Sequence, residues 1–240
     1  MRIFISFSGE TRTDYALKFM DFFNANGIKC WYDHHELFLG DNLRETITHK
    51  GIQQSQYCIL IINKNFLNRN WPCEEAKLFY ERYINGEDVT LFPVLLDISK
   101  DDLKESKLSF LLSIKYQFLK SGEKVDRIGY QILNRIFNDI KCQNSMFSFE
   151  DIKLKFRRLT LNESINIFNV LDTIDRLSPT DYRDRAILLI CLIMLFDNSP
   201  YIKTVQKISY MIYENYPINF DIYKIIENIF VLSSIIFLEA

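Results

Sequence analysis

The side chains of this chain that can do chemistry fall in three short stretches. The first is Ser6-Phe7-Ser8-Gly9-Glu10-Thr11-Arg12, the second spans residues 33–43 with Asp33, His34, His35, Glu36, Phe38 and Asp41, and the third runs from Asn65 to Asn70 and on through Trp71-Pro72-Cys73-Glu74-Glu75. Several chemistries fail at once. The seven glycines never cluster, so there is no GxGxxG and no P-loop. The histidines His34, His35 and His49 have no HExxH and no metal-ligand spacing, and the five cysteines include no CxxC, so no metal is expected. A phosphoacceptor receiver needs an acidic pair after its first strand and an Asp ending its third, where this chain has Ser6-Phe7-Ser8 and Asn63. Plain structural readings fit what remains. Glu74 and Glu75 compete equally, a glutamate in a first helical turn being favoured by the macrodipole alone. Trp71 reads as core, Arg12 as a helix cap or ion-pair partner, Phe38 as a loop anchor, and Cys73 as a bystander thiol.

These stretches follow strands. Residues 2–7 read as a strand, and 15–26 as a helix with Tyr15, Phe19, Phe22 and Phe23 at helical spacing, closed by Gly27. Residues 28–32 form a second strand and 43–53 a second helix. Residues 57–62 are apolar almost throughout, as a strand covered on both faces must be. A third helix covers 70–83 with Pro72 in its first turn, and a fourth strand covers 89–96, where Pro93 predicts an edge or a bulge. A weaker strand near 114–118 precedes a helix over 125–140. This alternation predicts an α/β fold, a parallel sheet with helices on both faces. Ligands of such sheets bind at the carboxyl ends of the strands, where all three stretches lie.

From Ser148 onward only helical patterns occur, with start signals at Asn162, Ser178-Pro179-Thr180, Ser199-Pro200 and Asn219. They predict a small all-α domain over 148–240, of four or five helices, joined through residues 142–147. The run from Ala186 to Phe196, apolar on every side, is expected at its centre. Across the whole chain, 29 Lys+Arg balance 31 Asp+Glu, which excludes bulk electrostatic binding of nucleic acid or an anionic membrane. The longest apolar run has eleven residues, too few to span a bilayer, and no signal-peptide pattern follows Met1. With cysteines odd in number and scattered, a reduced, cytoplasmic setting is expected.

In order, these pieces resemble the Toll/interleukin-receptor (TIR) domain, above all its plant immune-receptor branch. That branch opens on a strand ending Ser-Phe and then Arg-Gly-Glu-Asp-Thr-Arg; here Ser6-Phe7 precedes Ser8-Gly9-Glu10-Thr11-Arg12, one residue shorter. Gly27-Ile28-Lys29-Cys30-Trp31-Tyr32-Asp33 is similar to the family's second strand, Leu37-Phe38-Leu39-Gly40 to its mobile loop, and Ser55-Gln56-Tyr57 to the entry of strand three. Trp71 and Glu75 match its Trp-Xaa-Xaa-Xaa-Glu, although Pro72-Cys73 departs from the plant Cys-Leu. The resemblance covers residues 1–141 and does not extend to residues 148–240.

The resemblance implies a flavodoxin-like doubly wound parallel sheet and an enzyme that cleaves the nicotinamide–ribose bond of NAD+, a glycohydrolase or cyclase. Such a reaction passes through an oxocarbenium-like transition state, and NAD+ is its substrate with no cofactor required. By the family pattern Glu75 is catalytic and holds the ribose hydroxyls, while Trp71, four residues earlier on the same helix face, stacks on a ring. Ser6, Phe7 and Ser8 line the floor, Arg12 approaches the diphosphate, and Phe38 covers the site from a gate over residues 36–42. Water as acceptor yields ADP-ribose; adenine, a ribose hydroxyl or another acceptor yields a cyclic or conjugated product. Also implied is self-association through the TIR domain, while oligomerisation or sensing is the alternative expected of the helical domain; a TIR domain with a short helical partner suggests prokaryotic antiphage defence, with a downstream effector that senses the product. The rival expectation is a non-catalytic adaptor acting by TIR–TIR association.

Overall fold

The computed structural model describes residues 2–31, 39–143, 148–158, 162–196, 205–206, 209–210, 212–214 and 217–239. The chain forms two compact units, Met1–Gly129 and Tyr130–Ala240.

The first unit is built on five strands, β1 (Ile3–Phe7), β2 (Cys30–Trp31), β3 (Tyr57–Ile62), β4 (Thr90–Leu96) and β5 (Gln117–Leu119). All pair in parallel, in the order β2-β1-β3-β4-β5. This is the flavodoxin-like order, in which the direction of winding reverses between β1 and β3. Strand alternation sorts the core. Phe4, Cys58, Leu60, Ile62, Leu91 and Leu95 share one buried layer with Phe66, Ala76 and Phe79. Residues of opposite parity, Ile3, Ile5, Ile59, Ile61, Val94 and Leu96, are buried as well, so the sheet is covered on both faces. Strand β4 is internal, against the edge expected from Pro93, yet β5 pairs only with Val94–Leu96. At Pro93 the β5 side of the strand is therefore open, which is how an internal strand tolerates the proline.

The helices of this unit are α1 (Leu17–Ala25), α2 (Leu43–Thr46), α3 (Lys64–Asn68), α4 (Asn70–Ile84) and α5 (Lys100–Lys104), and α6 (Asp126–Gln143) begins in it. The first two are shorter than their sequence patterns because each adjoins a wide π-helical stretch, Arg12–Ala16 before α1 and Ile47–Ile52 after α2. Gly51 lies in the second of these. A Cβ there would stand 2.8 Å from the Phe4 ring and 3.1 Å from Trp31, so only glycine lets this turn close on the stacked pair.

In the second unit α7 (Phe149–Arg158), α8 (Asn162–Arg176), α9 (Tyr182–Leu195) and α10 (Phe220–Glu239) follow α6, and the described residues of 205–214 are helical too. Ser148 and Asp151 cap α7 reciprocally, and the Asn219 side chain accepts from the Ile222 N–H at the start of α10. The expected centre moves. Residues 186–196 are not buried all round, since Cys191, Met194 and Leu195 are exposed. The most continuously buried stretch is in α10, where Asn228 through Ile235 are all buried. Its polar members are satisfied locally: Ser233 and Ser234 donate to the carbonyls of Ile229 and Phe230, and Asn228 donates to Asn134. The unbroken apolar run pointed to the other helix because Ser233 and Ser234 interrupt the run in α10, although the helix satisfies their hydroxyls itself.

Candidate active site

The central contact follows from two rises. On β1, Phe4 faces α4 and packs on Phe79 with ring centroids 5.2 Å apart. Two residues on, about 6.6 Å up the strand, Ser6 points to the same face. One turn back along α4, about 6 Å, stands Glu75. The two meet: Ser6 Oγ donates to Glu75 Oε2 at 2.5 Å, the length of a hydroxyl bonded to a carboxylate. Both residues are buried, at 1% and 6% exposure. A buried carboxylate is costly unless hydrogen-bonded, so β1 supplies at Ser6 the donor that lets α4 hold Glu75 inward.

A cleft of about 400 Å³ opens at this end of the sheet, and Glu75, Trp71, Arg12 and Phe7 line it. The floor and walls also use Phe4, Trp31 and Ile47. Phe4 and Trp31 are stacked 4.9 Å apart, and the Arg12 guanidinium lies 5.5 Å over the Phe7 ring. Four of the expected site residues therefore share one cleft. Ser6 reaches it through Glu75. Ser8 is buried and donates to Asn63 Oδ1 at 3.0 Å; the same oxygen accepts the Phe66 N–H and caps α3. Ser8 thus ties the end of β1 to the end of β3. Phe38, with residues 36 and 37 of the expected gate over 36–42, lies outside the described residues.

The two adjacent glutamates part company. Glu74 points out and pairs with Arg44 at 3.2 Å, whereas Glu75 points in. The macrodipole account of Glu75 is also corrected: α4 starts at Asn70 and has no acidic residue in its first turn. Its inward carboxylate is held by tertiary contact. Cys73 is buried, donates to the Phe66 carbonyl at 3.4 Å, and burial raises its thiol pKa, which disfavours a nucleophilic thiolate. Cys58 is fully buried too, and burial first and the Glu75 charge second push its pKa well up.

Arg69 and Asn70, which fall in the third stretch but receive no role from the sequence, also line the cleft. Arg69 precedes α4, leaves the helix start uncapped, and reaches back to Glu10 at 2.7 Å. The available signal was its position two residues before Trp71. Among the described residues no group of three or more His, Cys, Asp or Glu gathers as a metal site, and no helix is long and apolar enough to cross a membrane. The cleft thus combines two guanidiniums for an anion, a ring for stacking, and a buried carboxylate for hydroxyls or a developing positive charge.

A family profile described as TIR domain matches residues 3–130. The chain belongs to the TIR domain family. The match ends where the first compact unit ends, and the helical unit lies beyond it. Among curated relatives, the 2' cyclic ADP-D-ribose synthase BtTIR of Bacteroides thetaiotaomicron is 35% identical over 100 residues, 42% of this chain and 34% of that protein. The NAD(+) hydrolase TcpA of a Theionarchaea archaeon is 29% identical over 132 residues, 55% of this chain and 38% of that protein. The NAD(+) hydrolase TcpC of Escherichia coli is 29% identical over 129 residues, 54% of this chain and 41% of that protein. The chain thus spans only 34–41% of the length of these relatives.

Proposed function

We propose that this protein cleaves the nicotinamide–ribose bond of NAD+, as a glycohydrolase or an ADP-ribosyl cyclase. The observation that carries the reading is Glu75, a buried carboxylate held by Ser6 at the wall of a cleft that Trp71 and Arg12 share. Relatives named as NAD(+) hydrolases and a 2' cyclic ADP-D-ribose synthase, matched over the same domain, support it.

The chemistry suits these groups. Nicotinamide is cationic while bound to ribose and leaves neutral, so positive charge moves onto the sugar in the transition state. A fixed carboxylate favours that charge more than the ground state, in a site shielded from water. Glu75 accepts from the ribose hydroxyls and stabilises the oxocarbenium-like ring. Trp71, one turn away, stacks on the nicotinamide or a base, Phe7 closes the apolar wall, and Arg12 faces the diphosphate. Ser6 and Ser8 act from behind the wall, by orienting Glu75 and the end of β3. No metal enters this scheme, because the leaving group is already activated by its charge. The acceptor, held by pocket shape, decides between ADP-ribose and a cyclic or conjugated product. In this reading the protein works in the cytoplasm, self-associates through both units, and makes a signal for an effector in prokaryotic antiphage defence.

The test is incubation of purified protein with NAD+ over a range of protein concentrations and crowding, with mass spectrometry of the products. Nicotinamide and an ADP-ribose species are expected, and Glu75→Ala lowers turnover at least about a hundredfold. Full activity in that variant overturns the site. Absence of nicotinamide release under every condition overturns the enzymatic reading and leaves the TIR–TIR adaptor.

A further inference from the structure

Arg69 has the chemistry and the place of a substrate-holding residue, yet the proposed reaction gives it no step. It stands in extended conformation immediately before α4 (φ −98°, ψ 132°), and its side chain does not cap that helix. Instead the guanidinium crosses to the turn after β1. Its Nη1 comes within 4.0 Å of where a Cβ on Gly9 would sit, and Nη2 donates to Glu10 at 2.7 Å. The arginine lines the same cleft as Arg12, Trp71 and Glu75. Two arginines therefore line one cleft whose described lining residues include a single carboxylate, Glu75.

We propose that Arg69 binds the diphosphate of the substrate together with Arg12, and that Glu10 is a resident counter-charge which the diphosphate displaces. This rests on the reading of the site as one for a dinucleotide. Three observations support the exchange. The Arg69–Glu10 pair is half exposed on both sides, 54% and 49%, so it is weakly held in water and salt. A guanidinium presents five donors in a fixed fork, which suits two phosphate oxygens better than the single carboxylate oxygen it now meets. The charges also complement each other. Arg12 and Arg69 answer a doubly negative diphosphate, while Glu75 answers the cationic nicotinamide ribose. With Arg12 alone, one guanidinium would answer two negative charges.

The experiment compares wild type, Arg69→Ala, Arg69→Lys and Glu10→Gln in steady-state NAD+ cleavage and in calorimetric binding of ADP-ribose. Arg69→Ala should raise KM for NAD+ by roughly tenfold to a hundredfold, weaken ADP-ribose binding in parallel, and leave kcat within about threefold. Arg69→Lys, which keeps the charge but not the fork, falls between. Glu10→Gln should lower KM by about two- to fivefold. Adenosine, which lacks the diphosphate, should compete with NAD+ equally in wild type and Arg69→Ala. Unchanged KM and ADP-ribose binding in Arg69→Ala, with an active wild type, overturns the role of Arg69 and leaves the NAD+ reading standing. A loss confined to kcat, or equal loss of adenosine competition, assigns Arg69 to the framework of α4 and overturns the proposal as well. Wild type that neither cleaves NAD+ nor binds ADP-ribose overturns the dinucleotide reading and this inference with it.

Discussion

Ser6→Ala removes one hydroxyl and tests how the site is assembled. The hydroxyl donates to Glu75 at 2.5 Å, with both residues buried, so its loss leaves the carboxylate with one donor fewer. A hydrogen bond to a charged group contributes about 1.5–3 kcal/mol. For a unit of this size that corresponds to a fall in Tm of roughly 5–12 °C. The cost belongs to the pair, and a double-mutant cycle isolates it. In a Glu75→Ala background Ser6→Ala should cost no more than about 0.5 kcal/mol, because the charge it served is gone. Urea denaturation of the four proteins gives the coupling energy directly. The same loosening should lower kcat about tenfold to a hundredfold, since a carboxylate acting on a developing charge must be held in place. Equal cost of Ser6→Ala in both backgrounds refutes the reasoning, for it would mean that Ser6 and Glu75 stabilise the fold independently.

Two further outcomes follow from the packing. Gly51→Ala should destabilise the first unit by about 1–3 kcal/mol in urea and lower activity, because its Cβ would press on Phe4 and Trp31, which are buried, stacked and part of the cleft wall. Of Cys30, Cys58, Cys73 and Cys191, only Cys191 is exposed, and it should react first of these four with a maleimide at pH 8. Cys30, whose pKa burial pushes up to about 12, and the buried Cys58 and Cys73 should react only as the protein unfolds; fast labelling of Cys58 in folded protein would contradict the core described above.

The sheet was legible because its signals are local. Tyr57–Ile62 is an unbroken apolar run and appears as the strand predicted from it, and the helix read from residue 70 begins at Asn70. Where the reading failed, the missing information was not local. The π-helical stretches beside α1 and α2 keep helical spacing while changing the turn, so their residues looked like ordinary helix. Pro93 marks an edge only because β5 is too short to pair beside it. Burial in the helical unit follows α10, whose serines hide their polarity in the helix backbone, and not the unbroken apolar run 186–196.

The sequence by itself determined that Trp71 and Glu75 share a helix face, that the chemistry-bearing stretches follow strands, and that the fold is a parallel α/β sheet followed by helices. Periodicity carries all of that, since it depends on neighbours within a turn or two. It does not say toward what a face is turned. That Glu75 is inward and Glu74 outward was decided by Ser6, 69 residues away, and by Arg44, 30 residues away. Arg69 likewise joined the cleft through Glu10, 59 residues before it. Contacts of that separation exist only once β1 and β3 lie side by side with α4 packed across them, so the members of this site were chosen by the tertiary structure.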